Sequence, residues 1–257
     1  MDTADFLREL DQSVSDHLLR IAESARAAEP GDAIGIPELL ATALRKELEA
    51  TEEAAMWLTS ETDIEVKLAL ARQCGDEAKH YRLIEERLRQ MGADTSRPQV
   101  LRQIQNPLEG GYSPMYIFLK TLETTVERVA AGQFTREALA KVHNQTFIDY
   151  CEAKGDPDTA RLYRDIIQPD EGFHHELGRK LLTRLATTPE DQERARRASA
   201  RTLEIAEEIQ ERPNRIGIDT GAYRTGVLTA VAIEEERRWF LTGRADTGNG
   251  ALDAVAA

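Results

Sequence analysis

The chain has 257 residues, 41% hydrophobic, 31% charged and 5% aromatic, with a formal net charge of −13. That length buries a real core, and the composition excludes wholesale disorder; the acidic balance argues against nucleic-acid or anionic-membrane partners. Two cysteines, Cys74 and Cys151, supply neither a disulfide framework nor a four-thiolate metal knot, and no run approaches the roughly 20 apolar residues of a membrane span.

The first ten residues include Asp2, Asp5, Arg8 and Glu9 and hold no apolar signal core, so a reducing cytoplasm is the expected compartment. Phe6, Leu10, Val14, Leu18 and Ile21 recur at helical spacing, which predicts a helix over 3–28, broken by Glu29-Pro30-Gly31-Asp32. Pro37 opens a second helix to about residue 60, and a short turn makes the helix over 63–91 its antiparallel neighbour. From Gly92 to Pro114 the chain is rich in Pro, Gly, Gln and Asn and reads as a long crossover. Helical pattern resumes over 114–153, with a kink expected at Gly132. It continues over 157–186, 190–211 and 221–241, separated by Gly155-Asp156-Pro157, Thr187-Thr188-Pro189 and Arg212-Pro213-Asn214.

An all-α fold follows: two antiparallel helical hairpins joined by a long crossover form a four-helix bundle over 37–186. An N-terminal helix and linker occupy 1–36. C-terminal helices over 187–242 pack on the bundle, and a flexible tail fills 243–257.

The chemistry sits in a doubled pair. Glu77 and His80 lie three apart in the middle of one helix, and Glu171 and His174 do the same in another. Residues at that spacing share a helix face, so each pair aims a carboxylate and an imidazole at one place. Each pair lies 14 residues past its expected helix start, at Asp63 and Pro157, a depth of about 21 Å. Alone, either pair reads as a solvated salt-bridging face. Doubled at matched depth, and flanked by Leu70, Ile84 and Leu88 on one helix and Ile167, Leu181 and Leu185 on the other, they face a core, where carboxylates are costly without a cation.

A two-metal site needs a further carboxylate from each remaining helix. Glu47 is level with Glu77 across the turn; Glu49, Glu52 and Glu53 point elsewhere and read as solvated. Level-matching favours Glu137 in the other hairpin, and Glu123 and Glu127 stay open as alternatives if the helix breaks at Gly132. His175 leaves one residue of register open beside His174. Tyr81, Tyr150 and Tyr163 read as packing residues with a radical or supporting role as the alternative. The basic run Arg194, Arg196, Arg197 and Arg201 reads as a solvated face.

Glu47-Leu48-Glu49-Ala50, followed by Asp76-Glu77-Ala78-Lys79-His80 and by Leu83 to Leu88, resembles the first hairpin of bacterioferritins. Asp170-Glu171-Gly172-Phe173-His174 resembles the second ligand motif of the same ferritin-like superfamily, which includes the rubrerythrins. The resemblance covers about residues 37–185. It implies two iron ions (alternatively manganese, or a mixed manganese–iron pair), with Glu47 and Glu137 as terminal ligands, Glu77 and Glu171 bridging, and His80 and His174 each completing one metal. The chain departs from bacterioferritins in its extra terminal helices and from rubrerythrins in lacking a four-cysteine module.

Three functions follow. The first is an oxidase or oxygenase that activates O2 or peroxide toward a small organic substrate, fed by the substrate or an external electron donor. The second is a ferroxidase for iron storage, or peroxide detoxification. The third is a non-enzymatic helical binding protein. A homodimer is compatible with each.

Overall fold

The computed structural model describes residues 1–27, 35–95, 111–211, 227–234, 237–244 and 253–256. The chain forms two compact units, residues 1–100 with 112–211, and residues 101–111 with 212–257. Most of the expected crossover, the breaks near Pro30 and Pro213, and most of the expected tail lie outside the described residues.

In the first unit the described regular structure is entirely helical: α1 (Thr3–Ala27), α2 (Ile36–Ser60), α3 (Ile64–Gln90) and α4 (Pro114–Leu119) come first. Helix α5 then runs over 125–153, as α-helix Thr125–Arg128, π-helix Val129–Arg136 and α-helix Glu137–Ala153. Helix α6 runs over 157–185, as Pro157–Leu162, a π-helical turn Tyr163–Ile167, and Gln168–Leu185. Helix α7 is Pro189–Glu211. None of the described helices is long and apolar enough to cross a membrane.

Local chemistry sets these boundaries. Pro37 sits in the first turn of α2, where its missing N–H costs nothing. Asp63 caps α3 by accepting from Val66 N at 3.1 Å. The helix expected over 114–153 is instead interrupted after α4, because Thr124 and Glu127 form a reciprocal capping box that starts α5 afresh. Gly132 lies inside the π-helical stretch, where the helix widens. Gly155, at φ +75°, supplies the left-handed turn between α5 and α6.

Helix α3 buries Val66, Ala69, Leu70, Gln73, Glu77, His80, Ile84 and Leu88, a stripe spaced three and four apart. Its ends are apolar and its middle is polar. The same holds on α6, where Ile167 precedes, and Leu181 and Leu182 follow, buried Glu171 and His174. One apolar cluster gathers Phe6, Trp57, Leu70, Phe134 and Leu182. A second gathers Leu40, Ile84, Leu88, Tyr163 and Ile167. Along α3, Glu77 and His80 fall between the residues that join the two clusters.

Ion pairs at both ends pin α3 and α6 antiparallel. Arg184 donates to Asp63 at 2.6 and 2.8 Å. Arg87 donates to Asp156 at 2.7 Å and to Thr159 at 2.8 Å. Because each bond joins the start of one helix to the end of the other, the midpoints are brought level. Helix α6 also approaches α5 closely at Gly178, where a Cβ would come within 2.7 Å of the Gln133 backbone. Helices α1 and α7 pack on each other; α1 also packs on α5 and α6, and α7 on α4 and α5. Arg196 pairs with Glu9, and Thr135 and Ser199 hydroxyls share a buried hydrogen bond of 2.7 Å. The basic run of α7 is held in such pairs, Arg194 with Glu190 and Arg201 with Glu204 and Glu208.

The second unit corrects one expectation. In place of a helix over 221–241 it has strands β1 (Val227–Glu234), β2 (Arg237–Arg244) and β3 (Asp253–Ala256), antiparallel in the order β1-β2-β3. Val227 pairs with Arg244 and Glu234 with Arg237. Val227, Val231, Ile233, Trp239, Phe240 and Thr242 are β-branched or aromatic, types that favour a pleated surface. Only two residues separate β1 from β2, the length of a tight hairpin.

Candidate metal centre

All six residues singled out from the sequence meet between α2, α3, α5 and α6. They form two donor groups: Glu47, Glu77, His80 and Glu171, and Glu77, Glu137, Glu171 and His174. In each group one ligand atom per residue lies within 4.8 Å of the others, so each group could hold a metal ion. Glu77 and Glu171 belong to both. Of the competing carboxylates, Glu127 is spent on the Thr124 cap, and Glu123 precedes the start of α5. Beside His174, which belongs to the second group, His175 turns away, with Nδ1 2.7 Å from the Phe134 carbonyl and its ring stacked on Phe134.

The inward-facing atoms lack partners. Glu77 Oε1, His80 Nδ1, Glu137 Oε2, Glu171 Oε2 and His174 Nδ1 are buried with no hydrogen bond. An isolated buried donor or acceptor costs about 1–3 kcal/mol, and more when charged. Five converging on one spot form a polar cluster that could hold a cation, and oxygen with imidazole nitrogen suits a transition metal. The residues present fit such an ion.

The outward nitrogens are fixed instead. His80 Nε2 is 3.1 Å from Asp170, and His174 Nε2 is 3.1 Å from Asp76. Once the ring is neutral, an Nε2 proton donated to a carboxylate leaves Nδ1 as the lone-pair donor facing the cluster. Lys79 bridges the two aspartates, 2.5 Å from Asp170 and 3.6 Å from Asp76.

Electrostatics report the same crowding. Burial, with the Glu77 charge adding to it, pushes Glu47 up to about 7 despite His80. Burial, Glu137 and Glu77 hold Glu171 well above the carboxylate range. Burial opposes a charged His80, but Glu47 and Glu77 outweigh it and lift the imidazole to about 11. For His174, burial is likewise outweighed by Glu137 and Glu77, and the group rises to about 9. Glu137 goes the other way: burial raises it, but Arg136, Glu171 and His174 together outweigh burial and hold the carboxyl down.

Four residues near the site escaped the sequence reading. Asp76 and Asp170 each immediately precede a shared glutamate, and the doubled Asp-Glu-x-x-His spacing was their signal. Gln73 donates to Glu137 Oε1 at 2.6 Å, and Arg136 lies 3.5 Å from Glu137 and 3.7 Å from Glu77. The expectation that Glu49 and Glu53 are solvated is overturned: they are 5% and 4% exposed. Glu49 accepts from Ser113 N at 3.0 Å and from its hydroxyl at 2.5 Å. Glu53 pairs with Arg136. Glu52 accepts from the Tyr112 hydroxyl at 2.7 Å. Cys74 and Cys151 are both free thiols. Tyr163 is buried with its hydroxyl lacking a partner.

Two cavities, of about 530 and 210 Å3, are lined by residues other than the six donors. The smaller reaches two of their chain neighbours: Ala138 and His175 line it together with Phe134, Val14 and Leu18. No protein-family model, no curated protein and no solved structure matches the chain.

Proposed function

We propose that this chain is a ferritin-like protein holding two metal ions, iron before manganese, in a carboxylate-bridged centre, and that it is an oxidoreductase using O2 or peroxide on a small organic substrate. The observation that carries the reading is the pair of donor groups sharing Glu77 and Glu171, with partnerless oxygens and Nδ1 atoms directed inward. Two hairpins with Glu at matched depth and a Glu-x-x-His pair on each remaining helix are the ligand plan of that class.

When bound, a pair of iron ions supplies the electrons and the Lewis acidity for reducing O2 or peroxide. The protein residues do the rest. Glu77 and Glu171 balance charge between the two positions. Asp76 and Asp170 hold the imidazoles in one tautomer and one orientation. Leu70, Ile84, Phe134 and Ile167, all buried, exclude water on either side of the polar belt. Four carboxylates against two imidazoles favour the oxidised ions. With two cysteines the chain has no four-thiolate electron carrier, so electrons come from the substrate or a partner. The 210 Å3 cavity beside Phe134 and His175, lined by apolar residues together with Asp11, Ser15 and Lys141, is the place offered for a small organic substrate.

The test is anaerobic loading with Fe(II), elemental analysis, and mixing with O2 while oxygen uptake and the visible spectrum are followed. About two irons per chain and rapid uptake are expected. Less than half a metal per chain would remove the two-metal reading. Iron that is stable in air, or manganese-only binding with dismutation of peroxide, would replace the oxygenase reading with a catalase-like one.

A further inference from the structure

The two halves of the donor cluster correspond by exchange of α2 and α3 with α5 and α6. Asp76, Glu77 and His80 match Asp170, Glu171 and His174, and Glu47 matches Glu137. What surrounds Glu47 and Glu137 breaks the correspondence. Gln73 Nε2 donates to Glu137 Oε1 at 2.6 Å inside the core. Arg136 Nη2 approaches the same oxygen at 3.5 Å, and its charge is offset by buried Glu53. With Oε1 engaged twice, Oε2 is the free oxygen of Glu137, and it faces His174 Nδ1 at 3.9 Å.

Glu47 has no such clamp. The counterpart of Gln73, four residues ahead of the other shared glutamate, is Ile167, which carries no donor. The counterpart of Arg136 is Lys46, an exposed side chain. The Glu47 side chain is 13% exposed and its neighbour is His80 Nδ1 at 3.6 Å, itself a member of the donor set. The Glu137 side chain is 0% exposed.

The geometry points to two unequal metal positions: the Glu137–His174 position, preset by Gln73 and Arg136, fills first and tightly, and the Glu47–His80 position fills second and exchanges with solvent. The inference rests on the two-metal reading above. Its physical basis is preorganisation: a carboxylate already held in its binding orientation loses less freedom on meeting a metal than one that must be ordered. Gln73 acts through Glu137 and is therefore a positioning residue, with Arg136 in support.

The probe is Co(II), titrated into the full metal-free chain and followed by calorimetry and by the visible bands of bound cobalt. Two resolved steps are expected, with affinities separated by about tenfold or more, the scale on which partners of metal ligands act. His80→Ala keeps the tight step and loses the weak one; His174→Ala loses the tight step. Gln73→Leu, similar in volume but without a donor, weakens the tight step by about 10-fold or more, alters the bands of the first cobalt and leaves the second step in place. Circular dichroism checks that each variant is folded, and the histidine variants decide the assignment if Gln73→Leu is not. Equal steps in the parent, a tight step that survives His174→Ala, or an unchanged first step in folded Gln73→Leu would each overturn the inference. A parent chain that takes up no cobalt would instead remove the two-metal reading beneath it.

Discussion

His80 Nε2 lies 3.1 Å from Asp170 Oδ2, on the other motif helix, and His174 Nε2 lies 3.1 Å from Asp76 Oδ2 in the reverse sense. Each helix thus carries the acid that orients the other helix's imidazole. Asp170→Ala leaves the His80 ring free to rotate and to change tautomer, and should weaken metal binding about 10–100-fold while the helices stay formed. Competition against a chromophoric chelator measures this. An unchanged affinity would reduce the Asp–His bonds to cross-links between α3 and α6.

Glu77 is shared by both donor groups, which separates it from every terminal donor. Glu77→Ala should lower metal content at both positions, whereas Glu47→Ala should spare the Glu137–His174 position. Elemental analysis after Fe(II) loading reads the two stoichiometries. Equal losses in the two variants would contradict the shared role.

The clustering of the six residues was legible because helical periodicity and matched depth are local properties, and the Glu-x-x-His pair repeats. What the reading missed came from partners far apart in sequence. Glu49 reads as solvated from its helical position, yet Ser113 brings its backbone N–H and hydroxyl to it across 64 residues. Glu53 meets Arg136 across 83 residues. Gln73 sits one turn before Glu77 on the same stripe, but its target on α5 is fixed by the π-helical stretch Val129–Arg136, which periodicity cannot register. The strands at Val227–Glu234 and Arg237–Arg244 are hard to read for a different reason: Ala, Leu and Glu in that segment fit a helix, while its β-branched and aromatic residues favour a pleated surface.

Glu49→Ala tests that correction. A solvated glutamate would be silent. A buried one whose loss strands the Ser113 N–H should destabilise the protein by about 1–3 kcal/mol, with metal content unchanged. Denaturant unfolding of the parent and variant decides it, and identical midpoints would restore the solvated reading.

Glu171 gives the metal-free protein a pH dependence. Its carboxyl is held well above 4.5, by burial first and then by Glu137 and Glu77. The folded state therefore binds a proton that the unfolded chain releases near pH 4.5, and stability falls as pH rises above that value. Glu47 and Glu53, both lifted to about 7 mainly by burial, act in the same direction. Glu171→Gln removes one such group. Its metal-free form should melt several degrees above the parent at pH 8, at about 2–4 °C per kcal/mol for a chain of this size, and nearly with it at pH 4.5. A lower melting point at pH 8 would contradict the raised carboxyl.

Metal loading should obey the complementary rule. His80 keeps its proton to about 11, because Glu47 and Glu77 outweigh burial, and His174 to about 9, because Glu137 and Glu77 do so. An imidazolium has no lone pair for a metal, so at neutral pH each Nδ1 must be emptied before it can ligate. Burial then adds Glu47, held to about 7, as a partial proton donor. Loading at pH 7 should release about two protons or more per chain, visible in a weakly buffered solution containing an indicator dye. Apparent affinity should climb steadily from pH 6 to pH 8, because protons compete for the donor atoms throughout that window. His80→Ala removes the most strongly held proton and should cut the release by about one. Uptake of metal with no proton release, or affinity independent of pH, would mean that the metal ligands are not these imidazoles.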